Sequence, residues 1–183
     1  MSRAQRRYLL LEQGVGAAGF NFLLNAAIAW LMFRGAAGVP LWGQQSIVGD
    51  TIGTSILLPL LTCLIATPLV RGHLRAGKVA PLGWSRDTQP WLGWLPRGTL
   101  ARGLALGSAG LVVFAPPVLA AIAALGVTQL GVGRFVVFKA SFAAAEALVV
   151  TPLVALWAIV EGPASPAGAL RTGSVSSVGR GST

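Results

Sequence analysis

Residues 140–160 read ASFAAAEALVVTPLVALWAIV, and the character of the whole chain follows from them. The stretch carries one formal charge, Glu146, and is bounded by Lys139 and Glu161. A hydrocarbon core about 30 Å thick needs roughly 20 helical residues at ~1.5 Å each to cross it. A run this long and this apolar therefore reads as a transmembrane helix. Three more of the same kind precede it: 13–33, uncharged and followed by Arg34; 51–70, uncharged and followed by Arg71; and 104–126, within the uncharged run 103–133.

The expected fold is an all-α integral membrane protein whose four transmembrane helices form a bundle over residues 13–160. A basic segment, 1–12, stands before it, and a tail, 161–183, follows. Composition excludes a soluble domain: of 183 residues 54% are hydrophobic and only 10% charged, with a mean hydropathy of +0.72, where soluble domains carry about a quarter charged residues. A basic start and small residues at Ala27 and Ala29 would also suit a cleavable leader. The length of the first run, and Asn21 and Asn25 within it, favour a retained span.

Fourteen Lys and Arg against five acids give a net charge of +9. In a soluble chain that balance would raise nucleic-acid binding, but here the positive residues flank spans, so no nucleic acid is expected. Counted on alternate sides of the spans, eleven Lys and Arg face three, which places both termini in the cytoplasm. Arginine far outnumbers lysine and Ala, Gly, Leu and Val dominate, the bias of a GC-rich bacterial genome. The expected location is a bacterial cytoplasmic (inner) membrane.

The longest connection, 71–103, carries Arg71, Arg75 and Lys78 with Trp84, Trp91 and Trp94. Tryptophan favours the interface, and clustered cations beside spans are drawn to anionic lipid by ~1 kcal/mol each. The loop is thus read as contacting anionic headgroups of the cytoplasmic face, with an unstructured loop as the rival reading. The tail is rich in Ser, Gly, Ala and Pro without hydrophobic periodicity and is expected to be disordered.

A shift of 84 residues lays Thr67-Pro68-Leu69-Val70 on Thr151-Pro152-Leu153-Val154, and in the same register Gly14 meets Gly98 and Val48-Gly49 meets Val132-Gly133. This is read as duplication of a two-helix hairpin. Each unit crosses twice, so the copies point the same way about an axis along the membrane normal. Close helix approach is expected at Gly49-x-x-x-Gly53, Gly103-x-x-x-Gly107, Ala120-x-x-x-Ala124 and Ala140-x-x-x-Ala144. Pro116-Pro117 removes two backbone donors and predicts a break in the third span.

Among side chains with chemistry, Glu146 stands out, because a carboxylate in hydrocarbon usually faces other helices or a water-filled path. Measured inward from residue 140 it lies at about 9 Å, with Asn25 at ~12 Å and Ser55 at ~6 Å, so the three are expected in one layer. Pro59 frees the Ser55 carbonyl of its helical donor, and a protonated Glu146 can donate there. Both a hydrogen-bonding structural role and a protonatable functional site fit. Asn21 and Asn25 form a polar stripe expected to face other helices. Asp50 is expected to cap the second span, Lys139 to snorkel to water, and Cys63 to serve packing.

His73 has no second histidine or nearby acid, and no catalytic or metal-binding set is present: no G-x-S-x-G, HExxH, P-loop or CxxC. No metal, no cofactor and no enzymatic activity are expected. Two functions remain. One is a non-enzymatic interaction or accessory membrane protein, with a homo-oligomer or a membrane-protein partner. The other is a small, proton-coupled transporter or channel subunit using Glu146, Asn25 and Ser55.

Overall fold

The computed structural model describes residues 1–82, 84, 94 and 96–161. Trp91 and the tail 162–183 lie outside the described residues. Among the described residues the regular structure is helical apart from one two-residue strand pair, and four helices are long and apolar enough to cross a membrane: Arg3–Phe33, Ile47–Arg75, Thr99–Ala124 and Val132–Val160. We label the elements α1 (Arg3–Arg7), a π-helical run (Tyr8–Gly16), α2 (Ala17–Phe33), β1 (Val39–Pro40), α3 (Ile47–Arg75), α4 (Thr99–Val113), α5 (Ala115–Ala124), β2 (Gln129–Leu130) and α6 (Val132–Val160).

α3 and α6 outrun their apolar stretches. They have 29 residues each, about 43 Å at ~1.5 Å per residue, so their ends project past a 30 Å core. α3 starts where Ser46 accepts a hydrogen bond from the Gly49 amide at 3.1 Å. It ends at Gly77, whose φ of 70° suits a residue without Cβ. There the Gly77 amide donates to Leu74 O and the Lys78 amide to His73 O, a Schellman closure. α5 closes in the same way around Gly126.

α6 is the most enclosed helix, with α2 on one side and α3 on the other, and α4 packs in turn on α3. The spans that follow one another within each half, α2 with α3 and α4 with α6, are not the pairs that pack. At one end, β1 and β2 pair antiparallel, Val39 opposite Leu130, over a cluster of Ala29, Phe33, Ile47, Ile122 and Phe135. The Phe33 and Phe135 rings meet edge to face at 4.9 Å between centroids, a favoured aromatic geometry. We call this the strand end.

At the other, arginine end, Tyr8, Leu9, Val70, Val79, Ala155, Ala158 and Ile159 form a second cluster. Between the two, Cys63 and Ala66 of α3 pack on Val150 and Val154 of α6, which makes Cys63 a packing residue. The third crossing breaks between Val113 and Ala115, immediately before Pro116-Pro117. Proline is harmless in the first turn of a helix, where amides have no intrahelical partner, and α5 restarts there. Pro59, Pro68 and Pro152 instead stay inside continuous helices.

Candidate functional site

Glu146 is fully buried at the midpoint of α6, about 21 Å from either end at ~1.5 Å per residue. The helix itself begins eight residues before residue 140, at Val132. Neither carboxyl oxygen has a hydrogen-bond partner among the described residues. Ser55 on α3 is also fully buried, and its Oγ is likewise unpartnered.

Gly110 of α4 joins the two. A Cβ placed there would stand 2.6 Å from Ser55 O, 2.9 Å from Glu146 Oε1 and 3.4 Å from Pro59 Cγ. The carbonyl that Pro59 deprives of its helical donor thus shares a junction of three helices with the acid. Only a glycine lets α4 come this close. The same holds one and two turns earlier, where a Cβ on Gly107 would meet Ile56 O at 2.7 Å and one on Gly103 would meet Leu60 Cδ1 at 2.8 Å. The Gly103-Gly107 spacing was legible in the sequence; Gly110, three residues on, gave no signal by itself.

Asn25 lies elsewhere. With Asn21 it lines an open groove of about 730 Å³ between α2 and α3, floored by α6, to which neither Glu146 nor Ser55 contributes. Each asparagine Nδ2 donates at 3.0 Å to a carbonyl four residues back in its own helix, Asn21 to Ala17 and Asn25 to Asn21. The three candidate residues therefore divide into a sealed pair, Glu146 and Ser55, and a groove residue, Asn25.

Two readings of charged residues are corrected. Asp50 is not the cap of α3, because Ser46 takes that role and Asp50 sits in the first turn. Lys139 does not reach water; it is 6% exposed and forms an ion pair with Asp50 at the strand end, tying α6 to α3. At the arginine end the fully buried Arg102 donates through Nη2 to both oxygens of Glu161 at 2.6 Å, and through Nε to Pro96 O at 3.3 Å. Arg71 stands 3.5 Å from the same carboxylate. The two charges that bound the decisive stretch, Lys139 and Glu161, thus both bind α6 to its neighbours.

Of the remaining membrane-surface candidates, Arg75 and Lys78 are exposed and Trp94 almost fully so, whereas Trp84 is half-buried against the arginine-end cluster. His73 Nδ1 lies 2.9 Å from the Tyr8 hydroxyl, which also accepts from Gln13 Nε2 at 3.1 Å. Tyr8 and Gln13 are five residues apart, the spacing that the wider π-helical turn brings onto one face. No group of three or more His, Cys, Asp or Glu suited to a metal is present among the described residues.

Fold and site together describe a multi-pass helical chain with one buried acid at a three-helix junction and a separate open groove. No protein-family model matches the chain, and neither a curated protein nor a solved structure matches it.

Proposed function

We propose that this chain is a non-enzymatic membrane protein that holds another transmembrane segment in the groove between α2 and α3. The observation that carries this reading is a polar stripe in the wrong solvent. Asn21 and Asn25 face a space that no helix among the described residues fills, and amide groups in lipid gain from a partner helix that can hydrogen-bond. Mostly apolar walls, with Phe20, Leu57 and Leu61 all more than half exposed, suit a membrane-embedded occupant rather than a polar substrate.

The location this reading takes is a bacterial cytoplasmic membrane, and the eleven-to-three excess of Lys and Arg supports both termini inside. Its basic, tryptophan-bearing loop rests on anionic headgroups. Two parallel-repeated hairpins are supported by the 84-residue register and by the exchange of partners between hairpins. α2 packs on α6 as α4 packs on α3, while α3 packs on its own counterpart, α6.

The test is a photoreactive residue at Leu61, in the groove, against one at Val112, on an exposed face of α4. Irradiated in intact membranes, Leu61 is expected to give protein adducts and Val112 lipid adducts. Lipid adducts from both would end the interaction reading.

The sealed pair favours a second reading, a proton-coupled transporter or channel subunit. A fully buried carboxyl without a partner, beside a carbonyl released by Pro59, is costly to keep. The carboxyl infrared band of the chain in bilayers, followed from acid to alkaline pH with Glu146→Gln as control, decides it. A band that titrates through the neutral range and is missing in the variant shows exchange with water and supports transport. A band unchanged across that range removes transport and leaves a sealed structural role.

A further inference from the structure

The groove presents two helix-docking features on opposite walls. On α2 stand Asn21 and Asn25, one turn apart. On α3 stand Gly49 and Gly53, also one turn apart, and a Cβ added at Gly53 would meet nothing within 4 Å. The glycine stripe of α4 shows what such a notch does in this fold: at Gly103, Gly107 and Gly110 the backbone of a neighbouring helix comes into direct contact. Gly53 offers such an opening and receives nothing from the described residues, whereas Gly49 is covered by Ser46 and Gln44 of the preceding turn. The missing occupant is thus a helix, and one able to hydrogen-bond within the membrane.

The identity of that helix follows from the chemistry of the stripe. A carboxamide both donates and accepts, so an asparagine can pair with its own copy, which neither a lysine nor a carboxylate can do. The side-chain oxygens of Asn21 and Asn25 have no hydrogen-bond partner among the described residues. A two-fold axis along the membrane normal would set two α2 helices parallel and at one depth, with each asparagine facing its equivalent. α2 is also the span with most surface to place: only 6% of the most apolar window of Arg3–Phe33 is buried, against 56% for Val132–Val160.

We infer that the occupant is α2 of a second copy of this chain, the two copies exchanging α2 helices reciprocally across an isologous interface in which Asn21 and Asn25 meet their equivalents beside the opening at Gly53. This rests on the interaction reading above and names its partner. Each α2 lies between α2 and α3 of the other copy. The contact is self-complementary and closes at two protomers.

The test uses the purified full chain in phosphatidylcholine–phosphatidylglycerol vesicles, where no other protein is present. Copies labelled at the amino terminus with donor or acceptor dyes are expected to show energy transfer that depends on the protein-to-lipid ratio and fits a dimer. Replacing Asn21 and Asn25 by leucine removes hydrogen bonds worth ~0.6 kcal/mol each on average in membranes, or about threefold apiece. Because each change acts on both copies, the double variant should dimerise at least tenfold more weakly, while Asn→Gln at both sites should restore much of the loss. Asn21→Cys in a Cys63→Ala background should form a disulfide between copies.

A monomer in vesicles at all ratios would overturn this inference. So would a dimer indifferent to the leucine substitutions, since it would use another face. Neither result touches the wider reading, which fails only if the groove position Leu61 captures lipid alone in intact membranes.

Discussion

Two glycine stripes on neighbouring helices have opposite fates. Those of α4, Gly103, Gly107 and Gly110, are pressed against Leu60, Ile56 and Ser55 so closely that no Cβ fits. On α3 both Gly49 and Gly53 line the groove, but Gly49 is covered by Ser46 and Gln44 of the preceding turn and only at Gly53 would an added Cβ meet nothing within 4 Å. The spacing of Gly103-Gly107 and Gly49-Gly53 is identical, so spacing marks where a helix can approach and leaves open whose helix it is. α3 therefore shows one face filled by the same chain and another left for something else.

The contrast can be broken most severely at the ends that hold the filled face shut. Arg102→Met removes a buried guanidinium bound to Glu161 and to the Pro96 carbonyl. Glu161 keeps Arg71 at 3.5 Å and some exposure, so the loss should fall near the lower end of the range for buried pairs, about 3 kcal/mol. Reversible unfolding in lipid–detergent mixtures measures it, and a loss below ~1 kcal/mol would show that α4 needs no such clamp.

Gly107→Ala comes next. Its Cβ would overlap the Ile56 carbonyl, a backbone atom that cannot swing aside, so about 1–3 kcal/mol of destabilisation is expected from overpacking. The smallest effect on folding belongs to Gly53→Ala, within ~0.5 kcal/mol in the same assay because the space is open. Its effect should appear in energy transfer between copies, weakened several-fold. Equal destabilisation by Gly107→Ala and Gly53→Ala would erase the distinction between the two stripes.

The spans were legible because they follow from chain length and apolarity, which are local properties. The break before Pro116-Pro117 was legible for the same reason, since proline acts on the residues beside it. Ser55 and Glu146 were brought together on paper by depth and by Pro59, and they share the Gly110 junction. Asn25 fell at a compatible depth yet faces the groove, because depth says nothing about which side of a helix a residue occupies. Asp50 and Lys139 were misread separately because their pairing spans 89 residues. Arg102 falls in the basic segment 71–103, and nothing around it in sequence announces that it is enclosed. The groove was invisible, since it depends on which helices fail to pack.

The π-helical run Tyr8–Gly16 amounts to surplus length accommodated inside a helix. Deleting one residue within it would let the segment relax towards ordinary α-geometry and change the angle of everything before it relative to α2. The Tyr8 hydroxyl would then swing away from His73, while Asn21 and Asn25, on the far side of the deletion, kept their aim. The first helix is thus assembled from two independently aimed parts, a threaded anchor at the arginine end and a blade in the bilayer, with the π-turns as the coupling that sets the angle between them.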